Sequence, residues 1–351
     1  MTAKISKDLS RSSIPEAGVT LLELANQFAM QYSVEDLSEI TRIRKAKVEM
    51  WIEGKASLTP KETDRVEILR GEFPFQSSAA DNIPNFRFID LFAGIGGLRL
   101  PFQQTGGECV FSSEWNAEAK KTYYANFSEY PSGDITEIGV ESIPRHDLLV
   151  AGFPCQPFSV AGVSKNNSLG RQHGFNHSTQ GTMFFEIETI LREKRPSAFL
   201  LENVKNLRSH DKGNTFRVIL KTLTDPGGLN YKVEHSVIDA SRIVPQHRER
   251  TYIVGFKNHG VDFKFPDIVP PDRKLTLKDI LDSEPDPKYT ISAHLWQYFK
   301  DYKAKHKKRG NGFGYSIVDP NDELAVTRTL SARYYKDGAE ILIKTDREMP
   351  R

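Results

Sequence analysis

From Phe86 to Phe256, short apolar runs that read as strands alternate with amphipathic stretches that read as helices. FRFIDLF (86–92) enters the glycine turn AGIGG; LRLPFQQTG, CVFSSEW, DLLVAGF, TMFFEIETILREK, AFLLE, TFRVILKTL and TYIVGF follow in that order. A chain of this pattern has few solutions, because strands joined through helices pair side by side in parallel and are covered on both faces. The expected fold of 86–256 is therefore an α/β, Rossmann-like domain built on a mostly parallel sheet. Ligands of such sheets bind at the carboxyl ends of the strands, and the polar residues of this stretch collect there.

The flanks differ in kind. Residues 1–73 read as a small all-α region: in YSVEDLSEITRIRKAKVEMWIEGKASLTPKET (32–63) Ser33 and Asp36 make a capping box, Gly54 ends a helix pair, and Thr59, Pro60 and Glu62 start another helix. Leu37, Ile40, Ile43, Val48, Trp51 and Ile52 give the pair an apolar face. The segment resembles helix-turn-helix domains of phage-repressor type, with KAKVEMW as recognition helix carrying Lys45 and Lys47; a plain helical bundle has the same pattern. On the first reading residues 18–72 would hold operator DNA. Residues 74–85 have the proline, serine and asparagine content of a linker. From 257 to 351 the alternation dissolves into proline, aromatic and basic segments, including KAKHKKRGNG (303–312), whose charge run reads equally as a solvated face or as a nucleic-acid contact.

Composition narrows the classes. No apolar run approaches a membrane span and the N-terminus lacks a signal-peptide core, so a cytoplasmic protein without a membrane partner is expected. The two cysteines form neither a Cys-x-x-Cys pair nor a zinc spacing, so no metal is expected. A net charge of +2 leaves nucleic-acid contact to local patches.

Two groups of residues carry chemistry. Gly94, Gly96 and Gly97 let backbone amides approach a ligand closely. Glu114, at the end of the next strand, is placed to accept ribose hydroxyls, Trp115 to cover an adenine, and Asp134 in SGDI to accept from an adenine amino group. Together they suggest a nucleoside cofactor. In AGFPCQPFSVAG (151–162) Cys155 follows a strand, held between Pro154 and Gln156, and Glu202 in LLENVKN ends another strand on the same sheet edge. A thiolate adding to C6 of cytosine while Glu202 hydrogen-bonds or protonates N3 would make C5 nucleophilic enough to take a methyl group. Arg248 and Arg250 in PQHRER would hold the pyrimidine carbonyl and a phosphate. Cys109 reads as core.

Six blocks in order, FIDLFAGIGGLR, SEWN, GFPCQPFS, GTMFFEI, ENVKNL and PQHRER, resemble the bacterial DNA (cytosine-5)-methyltransferases over about Phe86 to Arg351. The resemblance implies an S-adenosylmethionine-dependent methyltransferase acting on double-stranded DNA. It implies S-adenosyl-L-methionine bound by Phe92, Ala93, Gly94, Gly96, Gly97, Glu114, Trp115, Asp134, Ile135 and Pro154. Cys155 would be the covalent nucleophile, with Glu202 at N3, Asn203 holding the glutamate's loop, and Arg248 and Arg250 on the flipped base and its backbone. Residues 159–182 would close over DNA, and Gln156, Ser159, Arg171 and Gln246 would touch it. The region 257–351 would be a target-recognition region, with Arg328, Arg333 and Lys336 as base or phosphate contacts. RGNGFGYSIV and TRTLSARYYKDGAEILI look like the subgroup that methylates the inner cytosine of CCWGG or CCNGG within restriction-modification systems. N-terminal extensions there resemble autoregulating repressors.

The chain departs from the family pattern at its end. It stops at DREMPR, where a block resembling R-L-T-P-R-E-C should begin, and the later Gly-Asn-Ser block is absent, so a fragment or a separate C-terminal segment or subunit is expected. Rival readings are weaker. A dinucleotide oxidoreductase leaves Pro-Cys-Gln-Pro unexplained, and a zinc deaminase needs a second cysteine that PCQPF lacks. An RNA cytosine-5 methyltransferase and a DNA-binding regulator with an inactive enzyme domain stay open.

Overall fold

The computed structural model describes residues 29, 32–66, 69, 75, 84–154, 183–310, 314–330 and 340–345. The chain divides into two compact units, Met1–Ala151 and Gly152–Arg351.

The first unit opens with helices α1 (Val34–Thr41), α2 (Lys45–Ile52) and α3 (Pro60–Val66). Their boundaries follow from local chemistry. Ser33 caps α1 in a reciprocal box with Asp36, and Arg42 ends it in the left-handed conformation (φ 56°). Thr59 and Glu62 bond reciprocally at the start of α3. Leu37, Ile40, Ile43, Val48 and Trp51 are buried, as their spacing predicts. That core does not close on itself: Tyr124 and Tyr130 belong to the same cluster.

Both tyrosines come from the α/β part of the unit. Its strands β1 (Phe86–Leu91), β2 (Gly107–Ser113) and β3 (Leu148–Gly152) run parallel, with β1 pairing both others, Phe86 opposite Gly107 and Phe88 opposite Leu148. Helix α4 (Arg99–Gln104) leaves the glycine turn, and α5 (Ala117–Phe127) follows β2. Asn116 caps α5 by accepting from the amides of Glu118 and Ala119. The outer side of α5 carries the N-terminal helices. Lys120 donates to Glu39 at 3.3 Å, Tyr130 Oη donates to the same carboxylate at 2.8 Å, and Tyr32 Oη donates to the Ser128 carbonyl at 2.8 Å.

In the second unit β7 (Glu249–Phe256) lies antiparallel to both β4 (Ala198–Val204) and β5 (Lys232–Asp239). The expected mostly parallel order does not extend to these strands. The segment KVEHSVID is half-buried throughout and reads as polar, so β5 escapes a sequence reading. Its successor β7 begins opposite it, Asp239 facing Glu249. A parallel crossover needs a dozen or more residues, and the 240–248 connection allows only an antiparallel return. Helices α6 (Met183–Lys194) and α7 (Asn214–Thr224) bury Phe184, Ile187, Ile190 and Leu191, and Phe216, Ile219 and Leu223. Beyond β7 come a short α8 (Leu277–Ile280) and α9 (Ala293–Lys308), then β8 (Ser316–Val318), which pairs with β10 (Ile341–Ile343). The short strand β6 (Gln246–His247) pairs in parallel with β9 (Thr327–Arg328). Among the described residues no helix is long and apolar enough to cross a membrane, and no group of three or more His, Cys, Asp or Glu is placed to hold a metal.

The shared core yields the first prediction. Trp51 is 3% exposed, and its replacement by alanine should cost about 3–5 kcal/mol. Because Tyr124 of α5 shares that core, the loss should appear in the same denaturation transition that reports the strands of the first unit. A separate early transition for the N-terminal helices would contradict this.

Candidate active site

The carboxyl end of the first unit's strands is built around Glu114. Its Oε2 accepts the Gly94 amide at 2.8 Å and its Oε1 accepts the Asn116 amide at 2.7 Å, so one carboxylate ties the glycine turn to the start of α5. Each oxygen keeps a second lone pair for a ligand hydroxyl. The turn is tightly conformed. Phe92 has φ 54°, in the left-handed region uncommon for a non-glycine residue. Gly96 has φ 90°, and a Cβ there would meet the Phe127 ring at 2.1 Å. At Gly94 and Gly97 a Cβ would meet nothing within 4 Å, so the backbone borders open space. Ala93 is buried, its amide donating to the Ser113 carbonyl.

Two further expected residues are brought to the same place. Ser132 bonds Ser112 and Glu114 through the backbone, and Ser113 Oγ donates to the Gly133 carbonyl, so the loop carrying Asp134 is fixed beside the end of β2. Asp134 caps a short 3-10 turn with Oδ1, and Ile135 behind it is buried. Trp115 is 76% exposed and offers a bare aromatic face next to Glu114.

Beneath the turn lies a polar core that sequence reading missed. The Arg99 guanidinium is buried, donates to Tyr123 Oη at 3.0 Å and to Glu129 at 2.6 Å, and lies over the Phe127 ring. Asp90, fully buried one turn of chain before Phe92, has no hydrogen-bond partner on either oxygen. Burial pushes its carboxyl well above the usual range, against the pull of Arg99. Burial likewise raises the Cys109 thiol, consistent with an inert core cysteine. The signal available in sequence was an aspartate inside an otherwise apolar strand.

In the second unit Glu202 and its partners sit at the end of β4. Antiparallel pairing sets Glu202 opposite Tyr252 and Val204 opposite Arg250. Arg250 Nε donates to Glu202 Oε1 at 2.9 Å. Burial raises the Glu202 carboxyl above its ordinary value, and Arg250 and then Arg248 pull it down without cancelling the rise. Arg250 and Tyr252 alternate along β7 and so share a face, with Arg248 directly before the strand; Tyr252, whose hydroxyl burial also raises, was not anticipated. Asn203 does more than hold its own loop. Its Oδ1 accepts the Val204 amide, and its Nδ2 donates to the Phe153 carbonyl at 2.9 Å, fixing the end of β3 directly before Pro154, which is itself exposed.

Other expected contacts are distributed differently. Gln246 sits half-buried in β6. Arg328 does not project outward: its Nη2 donates to the carbonyls of Gly314 at 2.5 Å and Glu340 at 3.2 Å, which makes it an internal clamp of the region. Lys45 is paired with Glu35, and Lys47 donates to Glu62 at 2.5 Å. Cys155, Gln156, Ser159, Arg171, Arg333 and Lys336 lie outside the described residues, as does the 159–182 segment.

Comparison with known proteins decides the family. The model of the C-5 cytosine-specific DNA methylases matches residues 86–350. The chain belongs to that family. It is 50% identical to the DNA-cytosine methyltransferase of Escherichia coli K12 over 74% of this chain, and spans 61% of that protein's length. It is 43% identical to the type II methyltransferase M1.ScrFI of Lactococcus lactis subsp. cremoris over 98% of this chain and 85% of the relative, so the similar span includes the N-terminal helices. A Spodoptera frugiperda DNMT2 mutant shares the fold at 20% identity and a TM-score of 0.53, covering 74% of this chain and 75% of that one. An α/β methyltransferase fold is thereby established, with a sheet of mixed strand direction.

S-adenosylmethionine fits the first unit's site on its chemistry: bare glycine backbone for the close approach, lone pairs of Glu114 for the ribose, and an exposed indole for the purine. Two predictions follow from these geometries. In Glu114→Gln one amide nitrogen would confront a backbone N–H, so calorimetric titration with S-adenosylmethionine should show affinity reduced at least roughly tenfold; an unchanged affinity would remove Glu114 from the site. The raised Glu202 carboxyl means that the folded chain holds this proton more tightly than the unfolded chain. Its contribution to stability is therefore present at low pH and lost as pH rises from the ordinary carboxylate value through the raised one. Denaturation from about pH 4 to pH 7 should show the wild-type chain losing stability relative to Glu202→Gln; parallel profiles would refute the shift.

Proposed function

We propose that this chain is a DNA (cytosine-5)-methyltransferase of a type II restriction-modification system, acting on the inner cytosine of a CCNGG or CCWGG site. The observation that carries the reading is the half-buried, arginine-paired Glu202 at a strand end, joined through Asn203 to the residues just before Cys155, in a chain of this family. Such a carboxyl is suited to hold or give a proton at cytosine N3, since burial favours its protonated form.

The base leaves the duplex at a cost of a few kcal/mol, and Cys155 Sγ forms a bond to C6 while Glu202 protonates N3. The electron pair of the 5,6 double bond is then available at C5, which takes the methyl group. S-adenosylmethionine supplies that electrophilic methyl when bound to the Gly94–Gly97 turn, Glu114, Trp115 and Asp134. Loss of the C5 proton to a base, return of the N3 proton to Glu202 and breakage of the S–C6 bond restore the neutral aromatic ring, the carboxylic acid and the thiolate. Arg250 and Arg248 hold Glu202 in place and counter the charge of the bound nucleotide's phosphate.

A second reading, transcriptional autoregulation, rests on α1 and α2, joined by the tight Arg42–Arg44 turn with one buried apolar face, as in DNA-reading helix pairs. The domain division at 73 and 85 belongs to this reading.

Trapping tests the proposal. The full chain with S-adenosylmethionine and a duplex carrying 5-fluorocytosine at the inner position should give a denaturation-resistant adduct that Cys155→Ala abolishes. Glu202→Gln should slow transfer by about 10²–10⁴-fold. No adduct on either duplex would sink the enzymatic reading, while retention by Cys155→Ala of binding to the chain's own upstream DNA would support the regulatory one.

A further inference from the structure

The charge run in α9 is not absorbed by the site. This helix starts at the Ser292 cap, whose Oγ accepts the Leu295 amide. Trp296, Phe299, Tyr302 and His306 form its inward stripe: Phe299 is 7% exposed, Trp296 meets Tyr315 edge-on at 4.9 Å, and Tyr302 lies against His306 at 4.3 Å. The remaining surface carries Lys300, Lys303, Lys305, Lys307 and Lys308, followed by Arg309, against a single acid, Asp301, which is bonded by Gln297.

Two of these cations are used locally. Lys300 lies over the Trp296 ring, and Lys303 Nζ donates to the Tyr315 carbonyl at 3.0 Å while lying over its ring. The stem of Lys303 also packs so closely on Gly314 (φ 138°) that a Cβ there would meet it at 2.7 Å. Lys305, Lys307, Lys308 and Arg309 are exposed and have no carboxylate partner among the described residues. Cations in a last turn favourably oppose the helix dipole. That accounts for one or two of them, whereas Lys305 with Lys308, and Lys303 with Lys307, are like-charge neighbours at spacings that destabilise a helix. A cluster kept against its own repulsion, in a chain whose net charge is only +2, needs an anionic partner.

We propose that Lys305, Lys307, Lys308 and Arg309 form a phosphate-contacting surface for duplex DNA, which positions the duplex without reading bases. The inference rests on the reading of the chain as a DNA-modifying enzyme and adds to it a named backbone contact. The helix is well attached for that purpose. Trp296 and Lys303 fasten α9 to Tyr315, Arg328 clamps the Gly314 carbonyl, and β9 pairs with β6 in the block that carries Arg248. A duplex held on α9 is thus held on the same framework as the recognition segments and the Glu202 pair.

The test is the salt dependence of equilibrium binding by the full chain to a duplex containing CCNGG and to a scrambled duplex. Each phosphate neutralised contributes about 0.9 to the slope of log K against log salt. The triple variant Lys305→Gln, Lys307→Gln, Lys308→Gln should therefore lower the slope by roughly two to three and weaken both duplexes alike. The matching Lys→Arg triple should keep the wild-type slope. If the glutamine triple melts early, Lys305→Gln and Arg309→Gln singly should each lower the slope by about one. An unchanged slope in a folded variant, a loss confined to the cognate duplex, or a greater loss on an RNA hairpin than on duplex DNA overturns the proposal, as does a wild-type chain that binds no duplex. Adduct formation by the wild-type chain is scored separately, so failure of this surface and failure of the enzymatic reading give different results.

Discussion

The Glu114 carboxylate is the contact on which the first unit's organisation turns. By accepting one amide from the glycine turn and one from the start of α5, it makes the shape of the ligand site depend on where α5 sits. The seat of α5 is set from two sides. On its inner side Arg99 reaches Tyr123 and Glu129, and on its outer side Glu39 collects Lys120 and Tyr130. The N-terminal helices are in this sense structural partners of the glycine turn, because their apolar face is completed by Tyr124 and Tyr130.

That arrangement bears on what an N-terminal DNA-reading segment would mean here. A segment with its own closed core can bind an operator without consequence for the rest of the chain. These helices share their core with α5, and α5 shares a carboxylate with the glycine turn. Any ligand that strains the helices therefore acts on a framework that also shapes the glycine turn, and linkage makes the influence reciprocal.

Much of this was legible in the sequence because it is local. The Ser33 and Thr59 caps, the glycine turn after β1 and the carboxylate ending the next strand are set by near neighbours, and they stand where the pattern puts them. Long-range facts were not legible. The half-polar KVEHSVID gave no sign of β5, and the reversed direction of β7 follows from the length of the 240–248 connection rather than from apolar spacing. Arg328 shows the same limit among site residues. The sequence TRTLSARYYKDG gives no sign of the carbonyls at Gly314 and Glu340 that take its donors, because they are assembled only by folding.

In the second unit the same logic joins the PQHRER block to the region after β8. Gln246 and His247 pair with Thr327 and Arg328, Thr327 donates to the Pro245 carbonyl through both its amide and its hydroxyl, and Thr329 Oγ1 donates to the His247 carbonyl at 2.6 Å. Immediately beyond His247 comes Arg248, whose amide is held by Asp239 and whose charge acts on Glu202. The PQHRER block is thus both a strand partner of the region after β8 and the source of the cations around the carboxylate. Its two roles alternate along the backbone, Gln246 and His247 pairing outward through main-chain bonds while Arg248 and Arg250 face Glu202 through side chains. A shift of the 327–329 segment is therefore felt at Arg248 and, two residues on, at Arg250, which holds the Glu202 carboxyl.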